Sequence, residues 1–349
     1  MGTVMVPPAP ATAIPAPASP DLLSTDPRQL KVSRTPTDRA YRLITTGAAM
    51  ASLVVMGLIF LFLLVQSWPA IRQAGWHFFT EFQWRPDDSP AIYGIGSMMF
   101  GTVVISIIAL LLAVPVSIGT ALFINEYAPR RSRTVLVSLI DLLAAVPSLI
   151  FGLWGLKFLQ PRMNGLTRFL GDHLGFIPIF KTKGIFGSSM FVCGVVLALM
   201  VIPIITSVSR AVMAEVPRVY CEAALALGGT RAGMVKEVIL PFGKGGLVGA
   251  SMLGLGRALG ETIAIALILS FDFTVSPHIL QPGGSSVAGT IAIRFGEASD
   301  NGRSALVGAG LALFVLTLLV NMLARAVVGR TKAPKGAKKP QDLLVRAGK

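Results

Sequence analysis

The residues best able to do chemistry are Arg257 and Glu261, four apart in the apolar run GLVGASMLGLGRALGETIAIALILSF. On one continuous helix that spacing puts both side chains on the same face. If the helix starts near residue 246, a rise of about 1.5 Å per residue places Arg257 roughly 17 Å in, near mid-bilayer. A central arginine costs about 2.5–3.5 kcal/mol to insert, so it is expected to face a bundle interior with a partner. Glu261 is the expected partner, because opposite charges about 4 Å apart at an effective dielectric of about 20 attract by about 4 kcal/mol. Two uses follow: an ion pair that holds structure only, or a guanidinium that attracts an anion along a path.

Other chemistry is thin. Cys193 lies in an apolar run and Cys221 in a basic loop, at different depths, so a disulfide framework is not expected. His77, His173 and His278 make no metal-ligand spacing with them. The apolar runs hold no nucleophile–base cluster, which argues against a membrane-embedded enzyme. The pattern G-x-x-x-x-G-K-[ST] does not occur, so the chain is not expected to hydrolyse ATP by the P-loop route.

The elements that must position Arg257 and Glu261 are membrane helices. Of 349 residues, 53% are hydrophobic and 14% charged, against about 25% charged in a soluble domain. Mean hydropathy is +0.70. The net charge of +14 gathers beside apolar runs, which points to an anionic membrane face and away from nucleic acid. Six runs are long enough to span, near 43–66, 99–124, 135–157, 187–208, 246–271 and 305–327. Residues 1–40 read as a disordered, Pro/Ala-rich and then basic tail, not a cleaved signal. Residues 97–327 form the transmembrane core, and 328–349 a second basic tail. With the N-terminus inside, 21 of the 31 lysines and arginines fall in inner segments and nine in outer loops. Both termini are then cytoplasmic, and the basic loop 157–186 is outside. Pro115, Pro147 and Pro203 interrupt three of the runs, which suits a working bundle. Gly256 and Gly260, with Gly245 and Gly249, form small-xxx-small pairs that allow close helix approach.

Between the fourth and fifth runs, the inner loop 215–241 is too polar to span and too patterned for a linker. Pro217 suits the first turn of a helix that Gly228 and Gly229 should stop. Thr230 can cap a second short helix, with Met234, Val235, Val238 and Ile239 running up to Pro241. A stiff projection of this kind is a docking element.

Glu222-Ala223-Ala224, then Gly228, then Val238-Ile239-Leu240-Pro241, resembles the EAA loop of ABC importer permeases of type I, the MetI-like, binding-protein-dependent kind. Val238 stands where that family usually has isoleucine. GLGRALGET, YGIGSMMFGT, ALFINEYAPRR, DLLAAVPSLIFGLWGL and IRFGEA are similar to PstC-type phosphate permeases. Asp141 replaces the usual glutamate, and GETIAI differs from the GETAPL-like segment of the PstA type. The resemblance covers roughly residues 90–327.

That resemblance implies an all-α, six-helix permease in a bacterial plasma (inner) membrane, translocating inorganic phosphate. Glu222, Ala223, Ala224, Gly228, Leu240 and Pro241 would couple to an ATPase. No cofactor would bind directly, ATP being used by the partner. The implied partners are a PstA-type second permease subunit, two ATPase copies and an extracytoplasmic phosphate-binding protein. Arg257 would attract the anion while Glu261 held the arginine in an empty path; a guanidinium suits phosphate because it can bind two oxygens. Ser117, Ser148 and Thr262 are candidate hydroxyl contacts, and Asp141 is expected in a structural hydrogen bond. A permease for sulfate or molybdate, or a secondary transporter, is the alternative.

Overall fold

The computed structural model describes residues 35–86, 88, 91–182 and 186–330, with side chains through residue 326. Most of the two expected tails lies outside the described residues. The chain divides after Met56. The first unit, as far as it is described, is the exposed beginning of a helix, α1 (Pro36–Ala74).

Everything else belongs to the second unit, Gly57–Lys349. After α1 come a single turn, His77–Thr80, and a short hairpin pairing β1 (Trp84–Arg85) with β2 (Ile92–Tyr93). The helices α2 (Gly96–Tyr127), α3 (Arg130–Ala144), α4 (Ser148–Leu174) and α5 (Met190–Ala214) follow. The loop helix α6 (Arg218–Ala226) precedes α7 (Arg231–Leu259), and then α8 (Ile263–Ile268), α9 (Val287–Arg294) and α10 (Asp300–Arg330). Large apolar side chains such as Leu111, Leu142 and Leu323 are left exposed. Contiguous apolar surface of this extent marks chain that lipid or another membrane subunit must cover.

The core is built on α2 and α5, which pack side by side. Both helices run on through their prolines, Pro115 and Pro203. Hydroxyl groups tie them at that level. Ser117 Oγ donates to the Ile202 carbonyl at 3.1 Å, and Thr206 Oγ1 donates to the Ser117 carbonyl at 3.5 Å. The proline levels of the two helices are therefore tied to each other, as intramembrane prolines require. Ile105, Val196, Leu197, Ile205, Ile265 and Ile268 form the main cluster. A second cluster around Phe78, Trp84, Tyr93 and Leu306 closes the hairpin end, and a third around Met213, Met234 and Ile239 closes the loop end.

Two of the expected spans are corrected. The third is not one helix over 135–157: α3 and α4 meet at 89° across residues 145–147. Pro147 disfavours helical backbone in Val146 and supplies no N–H of its own, so the ladder stops. The fifth does not run from 246 to 271. It begins as far back as Arg231, within the loop, and stops at Leu259. Residues 269–286 then pack back as irregular chain, with Phe191 N donating to the Ile279 carbonyl and Gly283 N to that of Ser188. The described chain thus has five long apolar helices, or six spans with the bent pair counted as one.

Candidate functional site

The loop 215–241 folds as its residues suggest, with one exception. Helix α6 ends in a glycine turn in which Gly228 N donates to the Leu225 carbonyl at 3.0 Å and Gly229 N to that of Ala224 at 3.1 Å. Gly228 has φ +84°, a left-handed conformation that only glycine adopts without strain. Gly229 is fitted for a different reason: a Cβ there would lie 2.5 Å from the Ala224 carbonyl oxygen. Thr230 caps the next helix by accepting from Gly233 N at 3.1 Å. The exception is that this second helix is not short. A π-helical turn, Val235–Ile239, immediately precedes Leu240 and Pro241, and α7 continues through both. A π turn re-registers the hydrogen-bond ladder. The proline that lacks an N–H thus follows a local change of register and does not end the helix.

One side of the loop is anchored and the other is bare. Cys221 and Ala224 pack with Val235, Val238 and Leu240 onto the third cluster. Glu222 and Ala223 are exposed beside Val219 and Tyr220, and Leu227 is 90% exposed. Four exposed residues, Val219, Tyr220, Ala223 and Leu227, therefore accompany one carboxylate on a loop whose other side is packed. Burial pushes the Cys221 thiol up, as do the Glu126 and Glu222 carboxylates, while Arg218 opposes them. Pro241 and Lys244 line a cleft of about 520 Å³ between α2 and α7, with Val114, Ile118 and Leu247.

The charged pair is not a pair. Helix α7 is capped at Gly260, so Glu261 lies past its end and shares no helical face with Arg257. Glu261 is 7% exposed, and its Oε1 accepts from Ala264 N at 3.3 Å, closing the first turn of α8. Arg257 is exposed in the last turn of α7, with no hydrogen bond or ion pair among the described residues. Each charge thus complements a helix end at the break: the cation sits near free carbonyls, the anion near free N–H groups. The sequence carried a signal for this. Gly-Glu-Thr reads as a stop followed by a start, and the apolar run on either side concealed it.

Depth is set by packing. A Cβ on Gly254 would lie 2.6 Å from side-chain atoms of Val201 and Ile205, midway along α5. Arg257 is three residues further along α7, within a turn of that midpoint. Ser117 and Thr262 are not open hydroxyls. The first is fully buried and bonded to Ile202, and the second donates to the Gly260 carbonyl. Asp141 makes no side-chain hydrogen bond or ion pair among the described residues, which corrects the structural bond expected of it. Gly249 and Gly256 have nothing within 4 Å of a built Cβ, so among the described residues no helix uses their small size.

Long apolar helices, one pair of them sharply bent, and a glycine-jointed loop running into an exposed arginine describe a multi-pass membrane protein. Residues 113–333 match the family described as binding-protein-dependent transport system inner membrane component, and the chain belongs to that family. It is a multi-pass protein of the bacterial inner membrane. Phosphate transport system permease protein PstC 2 of Mycobacterium tuberculosis (strain ATCC 25618 / H37Rv) is 43% identical over 297 residues, covering 84% of this chain and 92% of that protein. Phosphate transport system permease protein PstC of Xylella fastidiosa (strain Temecula1 / ATCC 700964) is 39% identical over 303 residues, covering 86% and 93%. A chain of the bacterial alginate ABC transporter, solved in complex with an alginate pentasaccharide-bound periplasmic protein, superposes with a TM-score of 0.58. It is 18% identical and covers 84% of this chain and 97% of that one, a likeness of fold alone.

Proposed function

We propose that this chain is the permease subunit that carries inorganic phosphate through an ATP-binding-cassette importer. ATP hydrolysis would reside in a separate ATPase that docks on the loop 215–241. The loop and both termini would face the cytoplasm, the reading that the lysine and arginine bias supports. A second permease subunit, two ATPase copies and an external binding protein complete the assembly. The identity to PstC proteins supports the substrate, and the absent P-loop pattern supports the dependence on a partner.

The observation that carries the mechanism is that loop and charge share one helix. From Arg231 in the loop to Arg257, α7 runs about 40 Å. Movement of the docked loop by the closing ATPase would therefore displace Arg257 directly. Glu261 is committed to capping α8, so Arg257 presents an un-neutralised guanidinium to the path. Such a group can hold two oxygens of a phosphate at once. An arginine facing lipid would be costly, so this one is assigned to the water-filled path.

Purification with partner subunits, followed by ATP-driven uptake in vesicles, tests the reading. The wild-type complex is expected to take up phosphate in preference to sulfate. Arg257→Gln is expected to lose uptake while the ATPase stays bound. Normal uptake by that variant, or a preference for sulfate, would refute the assignment.

A further inference from the structure

Helix α3 carries a stripe whose chemistry the fold does not use. Its beginning is pinned at the loop end of the bundle: Arg133 donates to Asn125 Oδ1 at 3.0 Å, and Asn125 Nδ2 donates to the Arg210 carbonyl at 2.9 Å. Fifteen residues long, α3 extends about 22 Å, too short to cross a core of about 30 Å. It therefore cannot span alone, and the chain turns by 89° into α4 after it.

No residue of α3 is fully buried, yet its sides differ. Arg133, Leu136, Val137 and Ile140 are half-buried, on the side that packs toward α5. Val135, Leu139 and Leu142 are exposed, at 59%, 51% and 67%. Thr134, Ser138 and Asp141 are exposed as well, at positions i, i+4 and i+7, with Arg131 a turn before them. At about 100° per residue these sets form three stripes roughly 120° apart. Among the described residues, the side chains of Thr134, Ser138 and Asp141 have no hydrogen-bond or ionic partner.

Lipid suits Val135, Leu139 and Leu142. It does not suit the other exposed stripe, because an aspartate turned into hydrocarbon costs several kcal/mol. We infer that Thr134, Ser138 and Asp141 line a water-filled vestibule on the loop side of the anion path. Asp141 there keeps a multiply charged anion from lodging before release. A path needs this as much as it needs Arg257, since a bound ion must be held weakly enough to leave. Arg257 draws the anion in; Asp141 lowers its residence on the way out. The inference rests on the anion-import reading given above.

The test uses the assembled complex in vesicles, with T134C and S138C on one stripe and V135C, L139C and L142C on the other. A charged, membrane-impermeant maleimide is supplied on the loop side. Peptide mass spectrometry separates each engineered thiol from Cys193 and Cys221. The polar stripe is expected to react at least about tenfold faster, because the thiolate forms in water. Equal rates on the two stripes, or a polar stripe shielded by a packed second subunit, would overturn the vestibule.

Uptake supplies the second arm. D141N is expected to lower ATP-driven uptake about fivefold while ATP hydrolysis continues, and D141E to restore at least about half. Uptake by D141N at the wild-type rate would overturn the exit role. If D141N fails to assemble, labelling of T134C and S138C, which retain Asp141, still decides the vestibule. A complex that prefers sulfate, with the same labelling and the same D141N deficit for sulfate, would sink the phosphate reading and leave the stripe standing.

Discussion

The loop 215–241 and the charged break lie at the two ends of α7, yet they are built by different kinds of force. The loop is local. Its turn is closed by hydrogen bonds between residues five or fewer apart, and its cap by Thr230 and Gly233. The break combines a local stop signal with packing from elsewhere in the chain. Residues 246–271 have the hydropathy of one span, but the helix stops at Leu259 because Gly260 and Glu261 can end one helix and start another. The short helix that follows packs against α4, where a Cβ on Gly152 would stand 3.0 Å from Ala264 Cα. Charges at such a junction serve helix ends first. One of them, Arg257, is left exposed, with no hydrogen bond or ion pair among the described residues.

That contrast can be broken most sharply at Arg257. Arg257→Gln is expected to lower uptake roughly 100-fold, the loss of charged hydrogen bonds worth about 3 kcal/mol, and Arg257→Lys about tenfold, because the charge stays and the fork is lost. Uptake by vesicles at fixed ATP measures both. If Glu261 were the arginine's functional partner, Glu261→Gln would match Arg257→Gln. We expect it instead to retain most uptake and to weaken the α8 cap by about 1 kcal/mol, read as a lower unfolding temperature of the purified complex.

Smaller effects sharpen the loop side. Gly228→Ala places a Cβ at φ +84° and is expected to cost about 1–2 kcal/mol locally. Its signature is ATP hydrolysis that no longer drives uptake, with Arg257 unchanged. Thr230→Ala removes a single cap and should cost about 1 kcal/mol, visible as faster hydrogen exchange over residues 231–235. Slightest of all is the behaviour of Cys221. Its raised pKa means less thiolate at any pH below it, so alkylation near pH 8 is expected to run slower than for a free peptide thiol. Replacing Glu126 by Gln should speed it, because one of the carboxylates that raises the pKa is then gone.

The amino-acid sequence by itself determined the membrane class, the presence of the long apolar runs and the glycine turn of the loop. Hydropathy over about twenty residues and a glycine that must take positive φ are properties of short segments, legible without neighbours. Gly228, Gly229 and Thr230 do what their types suggest. The tertiary structure decided the rest. It turned one span at Pro147 and divided another at Gly260. It carried the loop's second helix through Pro241 and parted Arg257 from Glu261. It also left Asp141 unbonded on an exposed face and bonded Ser117 to Ile202. The reason is that apolar composition gives the same score to a straight helix and to two half-helices. Which of them forms depends on whether other segments pack against the broken ends and satisfy their backbone groups.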